Sequence, residues 1–257
     1  MNANTSGSDT AGNVWLRPAK ARRATAPLSP ERIAGEAVEL LDEEGIGGLT
    51  MRRLAERLGT GSTTLYWHVK TKDDVLDLAL DTIFAAVPLP AAARERAGSS
   101  APANDGAPPS GGHGGSWRDE ITLLINGWRA VLLAHPWSTA ALGRPLLGPN
   151  VLGRTEFLHA TLAGAGFREP HLTAAAYGLF NYVIGSTVMQ VIAQAGDEAR
   201  TREATARHLR ENADRYPTLA AMDPTAADWD TTFALGLGYL LDGMAGPGPH
   251  SPAPPRG

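Results

Sequence analysis

Cysteine is absent from this 257-residue chain, which excludes a disulfide framework and thiol chemistry. No apolar run approaches the roughly 18 residues that indicate a membrane-spanning helix, and the first residues lack the apolar core of a signal peptide. Together these absences predict a soluble, cytoplasmic protein with no membrane partner.

Motifs for enzymatic chemistry are also lacking. The sequence contains no glycine-rich phosphate loop, no nucleophile motif and no cluster of His, Asp and Glu with metal-ligand spacing. Glu156 and His159 lie three positions apart, but a single pair of this kind is weak evidence for a metal ion. We therefore expect no catalytic residue, no metal ion and no cofactor.

Irregular segments divide the chain into parts. Hydrophobic residues make up 43% of the sequence, enough for a substantial core, whereas 29 Gly and 19 Pro indicate long stretches without regular structure. Of the 19 residues from Ala97 to Gly115, 12 are Gly, Pro or Ser, which predicts a flexible linker. The predicted parts are a disordered basic arm (1–27), a first folded domain (28–87), a linker (88–115), a helical domain (116–246) and a disordered tail (247–257).

Residues 49–72 contain the pattern of two short helices separated by a glycine-bearing turn. Thr50 can cap the first helix, and Gly59 supplies the positive φ that ends it. Leu65 and Val69 then recur at a spacing of four and predict the inner side of the second helix. A polar and aromatic outer face remains, made of Ser62, Thr63, Thr64, Tyr66 and His68. This is the pattern of a helix-turn-helix, which places its second helix in the major groove of DNA.

Charge is distributed in a way that agrees with this interpretation. Residues 1–72 contain 10 Lys and Arg against 8 Asp and Glu, a balance of +2, although the formal net charge of the chain is −4. The remainder contains 13 against 19, a balance of −6. The basic arm either adds contacts to phosphates and the minor groove or is a solvated tail, and the sequence favours neither.

The motif TLYWHVKTK at residues 64–72, preceded by GIGGLTMRRLAERLG at residues 45–59, closely resembles the DNA-binding domain of the tetracycline-repressor (TetR) family. The match is long and ungapped and runs from Leu28 to about Val87. The rest of the chain resembles the family in its layout of helices. The resemblance implies an all-α fold, with an N-terminal three-helix helix-turn-helix DNA-binding domain and a C-terminal helical ligand-binding and dimerisation domain.

The resemblance also implies roles for single residues in DNA binding. Arg52 is the best candidate for reading bases, because arginine can bind O6 and N7 of guanine together. Tyr66 and His68 match positions that contact thymine methyl groups or phosphates, with helix packing as the alternative. Thr64 and Lys72 match phosphate-binding positions.

Two reading positions depart from the tetracycline repressor itself. Ser62 and Thr63 stand where that repressor carries Gln and Pro, so its operator sequence is not expected to apply here. For Trp67, which follows Tyr66, we expect packing into the core of the DNA-binding domain.

Two long apolar patterns in the second domain predict an interface with another copy of the chain. Residues 170–195 are apolar on more than one side, and a helix of that kind needs two partners. By resemblance this helix and residues 228–244 pair with their copies in a four-helix bundle. The two helix-turn-helix domains of such a homodimer are related by two-fold symmetry and match a roughly palindromic double-stranded DNA operator.

The resemblance further implies a binding site for a small, mostly apolar effector between the body helices. The candidate ligand-binding residues are Trp128, His135, Phe157, Tyr177 and Asn181. Any one of them taken singly is more simply explained as structural. Asn181 lies in a strongly apolar helix, so its amide needs a ligand, a neighbouring helix or water as a partner. The His and Glu pair that holds magnesium-bound drug in the tetracycline repressor has no clear counterpart, and we predict neither that drug nor magnesium.

The predicted function is that of a ligand-responsive DNA-binding transcriptional regulator, most simply a repressor that a small molecule releases from its operator. A helix that begins with the capping box of Thr71 and Asp74 would connect the two domains and carry the signal. The alternatives are an all-helical enzyme or carrier and a DNA-binding dimer without an effector.

Overall fold

The computed structural model describes residues 28–89, 116–143, 145–222 and 228–245, and the regular structure within these ranges is entirely helical. The all-α prediction is therefore confirmed. The predictions for the arm 1–27, for the tail 247–257 and for all but the first two residues of the linker 88–115 lie outside the described residues. The α-helices, numbered in chain order, are α1 Pro30–Gly48, α2 Met51–Arg57, α3 Ser62–Leu65, α4 Lys72–Phe84, α5 Trp117–Ala134, α6 Pro149–Gly164, α7 His171–Ala195, α8 Glu198–Glu211, α9 Pro217–Ala220 and α10 Trp229–Ala245, and a 3₁₀ helix spans Pro136–Ala141.

Helices α1 to α4 form the N-terminal part, here called the head. Ser29 caps α1 by accepting from the backbone N–H of Arg32 at 3.3 Å, and Pro30 occupies the first turn as predicted. Gly45 interrupts the helical dihedrals of α1 with a φ of 67°, as its sequence position suggested. The buried side of α1 packs along α4, so that α4 belongs to the core of the head.

Helix α4 also reaches beyond the head and is called the connector. The capping box is present, because Thr71 accepts from the Asp74 backbone at 3.0 Å while the Asp74 carboxylate accepts from the Thr71 backbone at 3.1 Å. Its buried residues line up on the side that faces α1 and the body. One continuous cluster of buried apolar side chains runs from the head through α4 into the C-terminal part, here called the body.

The body consists of α5 to α10 and the 3₁₀ helix. The predicted capping box of Ser116 and Asp119 is present at the start of α5. The sequence did not predict the 3₁₀ helix, which follows directly after α5 because Pro136 cannot continue an α-helix. The sequence analysis did not predict the short helix α9 either, whereas the predicted apolar pattern at 228–244 corresponds to α10. Helix α8 buries none of its residues, which agrees with its polar sequence.

Helices α7 and α10 pack side by side, and a glycine permits their closest approach. The Tyr182 hydroxyl donates to the carbonyl of Phe233 at 2.8 Å, directly beside Gly236. A Cβ atom added at Gly236 would lie 2.2 Å from that hydroxyl oxygen and 2.9 Å from the ring carbon that bears it. Burial of the phenol against α10 raises the pKa of Tyr182. Glycine at position 236 therefore permits the close approach of α7 and α10.

The stability of two alanine variants tests this close approach. We expect Gly236→Ala to lower the free energy of unfolding by about 1–2 kcal/mol, because overpacking against Tyr182 exceeds the gain in helix propensity. Gly153→Ala, in the middle of α6 with open space around the added atom, is the matched control and should gain about 0.5–1 kcal/mol. Urea denaturation at equal protein concentration measures both values, and equal shifts for the two variants would contradict the expectation.

Candidate functional site

Helices α2 and α3 form a compact reading unit on the outside of the head. Thr50 accepts from the Arg53 backbone at 3.2 Å and so caps α2, and Gly59 ends the following turn with a φ of 66°. Leu65 and Val69 are buried and fix the short helix α3 against the rest of the head. The predicted helix-turn-helix is thus formed by local caps at its ends and by two apolar anchors.

The residues predicted to contact DNA lie together on the outer side of this unit. Six of the seven are exposed, and Lys72 is half-buried because its ammonium group donates to the carbonyl of Ile46 at 2.6 Å. Between residues 62 and 68 only Leu65 is buried, so the second helix presents its polar side to solvent. The exposed six are Arg52, Ser62, Thr63, Thr64, Tyr66 and His68.

Trp67 also lies on this outer side, and the prediction that it packs into the head was wrong. Its side chain is 78% exposed, with the ammonium group of Lys70 6.0 Å from the centre of its ring. The reason is geometric, because α3 is only one turn long and Leu65 and Val69 already fill its inner side. Trp67 therefore adds an aromatic surface between Tyr66 and His68.

Acidic residues of α1 neutralise two of the arginines that the sequence places beside this surface. The Arg57 guanidinium contacts the carboxylates of Glu43 at 2.5 Å, Glu39 at 3.1 Å and Glu36 at 3.3 Å, and the hydrogen bond that it donates to Glu43 contributes most to raising the pKa of Arg57. Arg53 forms an ion pair with Glu44. These two arginines brace α2 against α1, and their charge is largely cancelled within the head.

Arg52 is held much more loosely. Its only ion pair in the described part of the chain is with Glu56, one turn along α2 at 2.9 Å. The hydrogen bond to Glu56 raises the pKa of Arg52. Both side chains are largely exposed, and an exposed pair of this kind contributes little to stability. The Arg52 side chain is therefore available to exchange Glu56 for another acceptor.

Two polar contacts fasten the connector to the first body helix that it meets. The Asp81 carboxylate accepts from the backbone N–H groups of Asn150 at 2.9 Å and Val151 at 3.1 Å, at the N-terminus of α6. Arg154 of α6 donates in return to the carbonyls of Ala85 at 2.7 Å and Val87 at 2.6 Å, at the C-terminus of α4. Each charge lies at the helix end whose dipole it complements. We call this pair of contacts the clasp.

A second junction joins the head to the 3₁₀ helix. One carboxylate oxygen of Asp42, on α1, lies 2.7 Å from His135 Nδ1 and accepts from the indole N–H of Trp137 at 2.7 Å. His135, one of the predicted ligand-binding residues, is thus placed at the contact between head and body. No local sequence pattern indicates this contact, because its partners are more than ninety residues apart.

A small apolar cavity lies next to the clasp, where the connector ends. Its volume is about 40 Å³, and all nine residues that border it are apolar. A more open cleft of about 370 Å³ lies between head and body. Leu146 and Val151 border both this cleft and the small cavity. The cavity wall is formed by Phe84, Trp128, Leu132, Leu142, Leu146, Val151, Phe180, Val183 and Ile184.

The structure brings one of the five predicted ligand-binding residues to this cavity. Trp128 forms part of the wall, stacked on Phe180 with ring centroids 4.6 Å apart. Phe157 is buried but does not border the cavity, and Tyr177 and Asn181 lie on the exposed side of α7. Asn181 therefore reaches solvent in the single chain. The apolar spacing along α7 and along the connector indicates Phe180, Val183, Ile184 and Phe84 as buried residues, but no local pattern shows that they border one cavity.

The exposed side of α7 continues onto α10 and is strongly apolar. Its large exposed residues are Tyr177, Met189, Ile192, Leu235 and Tyr239. Helix α7 is long and apolar enough to cross a membrane, but one helix of this kind is weak evidence, since helices of soluble proteins pass the same test. A contiguous apolar face on two adjacent helices is typical of an interface with another protein chain.

Comparisons with known proteins agree with this arrangement. Residues 33–79 match the family model described as bacterial regulatory proteins, tetR family, and residues 108–246 match the model for the tetracyclin repressor-like C-terminal domain. A helix-turn-helix transcriptional regulator of Saccharopolyspora erythraea is 45% identical over 236 residues, which cover 91% of this chain and 92% of that protein. The helix-turn-helix transcriptional repressor DrrR1 of Streptomyces coeruleorubidus is 31% identical over 89% of this chain and 80% of its own length.

Solved structures show the same likeness. The TetR family protein ActR of Streptomyces coelicolor, in complex with actinorhodin, superposes with a TM-score of 0.71 and 27% identity over 86% of this chain and 98% of its own. ActR in complex with (S)-DNPA gives a TM-score of 0.68. This chain belongs to the TetR family of transcriptional regulators, whose members bind operator DNA as dimers. The apolar face of α7 and α10 fits the dimer interface.

The loose attachment of Arg52 leads to a prediction about DNA recognition. We expect Arg52→Ala to weaken binding to the operator roughly ten- to a hundredfold and to reduce discrimination against scrambled DNA, because a base contact is lost. Arg200→Ala, an exposed arginine on α8 of the body, is the charge-matched control and should bind as the wild type does. Fluorescence anisotropy with operator and scrambled DNA measures both affinities. Equal weakening on the two DNAs would identify a phosphate contact and contradict a base contact by Arg52.

Proposed function

We propose that this chain is a cytoplasmic repressor whose dimer leaves its operator when a small, mostly apolar molecule enters the cavity beside the clasp. The observation that carries the proposal is that Phe84, on the connector helix, forms part of the cavity wall. A ligand in this place touches the one helix that belongs to both the head and the body.

The size of the cavity links binding to movement. Pockets for small molecules usually have volumes of about 300–1,000 Å³, whereas this cavity measures about 40 Å³. A bound effector must therefore push part of the wall outward. Phe84, Leu146 and Val151 belong to the connector, the segment before α6 and the first turn of α6, so displacing them shifts the elements that the clasp joins.

The clasp supplies the route from the cavity to the reading heads. Asp81 and Arg154 fix α4 and α6 to each other at both helix ends, so a shift of α6 is transmitted to α4. Helix α4 packs along α1, which braces α2 through Arg57. A rotation of the connector thus moves the whole head and changes the separation of the two reading helices in the dimer, which weakens the fit to two operator half-sites.

The relatives support the regulatory part of this proposal. DrrR1 is described as a transcriptional repressor, and ActR was solved with actinorhodin and with (S)-DNPA bound. In the head we propose that Arg52 reads bases and that Ser62 and Thr63 occupy reading positions. We further propose that Tyr66 and His68 contact thymine methyl groups or phosphates and that Thr64 and Lys72 bind phosphates. The support is their common position on the outer side of the reading unit.

A gel-shift experiment tests the proposed function. The purified protein should bind the DNA upstream of its own gene specifically, and at least one compound of a panel of small apolar molecules should release it. By linkage the operator should weaken binding of that compound by the same factor. Absence of specific DNA binding at any salt concentration would contradict the proposal, as would a panel of compounds that only strengthen DNA binding.

A variant of the clasp tests the route of the signal. We expect Asp81→Ala to reduce the ratio of operator dissociation constants with and without effector from the usual range of about 5–150 towards 1, because one of the two contacts by which α6 holds the connector is lost. The unliganded variant should still bind the operator. Isothermal titration or anisotropy with the releasing compound measures the ratio.

Asp197→Ala provides the matched control for this experiment. Asp197 caps α8 by accepting from the Arg200 backbone at 3.0 Å, so it is also an aspartate at a helix N-terminus but has no contact with the connector. Both variants should lose about 1 kcal/mol of stability from the missing cap. A coupling ratio that is unchanged in Asp81→Ala, or reduced equally in both variants, would refute the role of the clasp.

A further inference from the structure

The cleft between head and body has the size of a small-molecule site, whereas the cavity beside it does not. The cleft has a volume of about 370 Å³, and sites for small molecules usually measure about 300–1,000 Å³. The cavity measures about 40 Å³. The cleft can therefore hold a molecule before any residue of the cavity wall has moved.

Head, connector and body all border this cleft. His68 and Val69 lie at the end of the reading unit, and the connector contributes Leu78 and Leu80 together with three aspartates. The described residues on the body side have no polar side chain, since they are Pro145, Leu146, Leu147, Gly148, Pro149 and Val151. An apolar molecule in the cleft thus touches the reading unit, the connector and the start of α6 together.

Leu146 and Val151 lie between the cleft and the cavity, because both residues border both spaces. Val151 is fixed in the first turn of α6, where its backbone N–H donates to Asp81 at 3.1 Å. Leu146 precedes α6 and is half-buried. Of the two, Leu146 is therefore the residue that can move while the clasp stays intact.

The backbone around Leu146 is held loosely. Residues 145–148 have no regular secondary structure, and neither Leu146 nor Leu147 makes a backbone hydrogen bond within the described part of the chain. Pro145 and Pro149, on either side, have no N–H group to donate. Because a segment with few such bonds opens at a low cost in free energy, Leu146 can swing away from the cavity.

Helices fix most of the remaining wall. Seven of the nine wall residues belong to α4, α5, α6 or α7, so withdrawing their backbones means moving a helix. The other two are Leu142 and Leu146, and Leu142 does not border the cleft. Among the described wall residues, Leu146 alone lies outside the helices and also borders the cleft.

We propose that the cleft is the outer part of the effector site and that Leu146 is the gate through which the effector reaches the cavity. The gate rests on the proposed function, since it gives the entry route and the outer contacts of the same site. Only one apolar end of the molecule passes Leu146, so a ligand of ordinary size is compatible with a cavity of about 40 Å³. The other end stays between head and body, against the connector.

Stopped-flow fluorescence of the full-length protein with N-phenyl-1-naphthylamine tests the gate. This dye is uncharged, which suits a border with three aspartates, and its emission rises in apolar surroundings. Leu146→Ala widens the passage and should raise the association rate constant about three- to tenfold, whereas Leu146→Trp should lower it by a similar factor. Changes in opposite directions distinguish a gate from a loss of stability, which would affect both variants alike.

Two neighbouring leucines provide matched controls. Leu147 borders the cleft but not the cavity and is 73% exposed, and Leu142 borders the cavity but not the cleft. Leu147→Ala and Leu142→Ala should both bind the dye with the association rate constant of the wild type.

An association rate constant that is the same in both Leu146 variants and in the wild type would overturn the gate. An equal increase in either control variant would overturn it as well. Failure of the wild type to bind the dye would overturn the assignment of the cleft as a site for apolar molecules. The proposed function is decided separately, by release of the operator in the gel-shift experiment.

Discussion

The C-terminus of α4 and the N-terminus of α6 meet where the head joins the body. Hydrogen bonds to the unpaired backbone groups at these two helix ends hold the head and the body together. The N-terminus of α6 leaves N–H groups without partners, and the C-terminus of α4 leaves carbonyl groups without partners. Asp81 accepts from the first set, and Arg154 donates to the second. Because each helix supplies the cap of the other, neither end can move without disturbing its partner. Gly148 leaves the space that the Asp81 carboxylate needs.

Helix α7 shows how one element serves two interfaces. Its inner side contributes Phe180, Val183 and Ile184 to the cavity wall, and its outer side forms an exposed apolar face with α10. This division explains why the sequence of α7 is apolar nearly all round. In a dimer formed through this exposed face, both sides of α7 are covered. Trp128 packs against this inner side through Phe180, and its indole N–H has no hydrogen-bond acceptor in the described part of the chain.

The starts of several helices could be predicted from the sequence because local interactions define them. The caps by Ser29, Thr50, Thr71 and Ser116 each involve groups two or three residues apart, and the structure contains all four. The spacing of Leu65 and Val69 likewise identified the buried anchors, and the residues predicted for the outer face are exposed, with Trp67 as a further exposed residue that was assigned to the core. The apolar patterns at residues 170–195 and 228–244 likewise predicted the helices His171–Ala195 and Trp229–Ala245, whose bounds differ by one residue at most.

Other features depend on contacts between distant segments, which no local pattern encodes. The cavity wall combines residues from five segments, so the sequence identified Trp128 but could not relate it to Phe84. Arg57 reads as part of a basic flank, yet carboxylates from α1 neutralise it. Trp67 looks like a core residue until the shortness of α3 leaves no inner position for it. The sequence by itself thus determined the family, the helices and the reading surface, because these depend on spacing along the chain. Only the tertiary structure decided which charges remain available, where His135 lies and how the cavity meets the connector, because those depend on packing between helices.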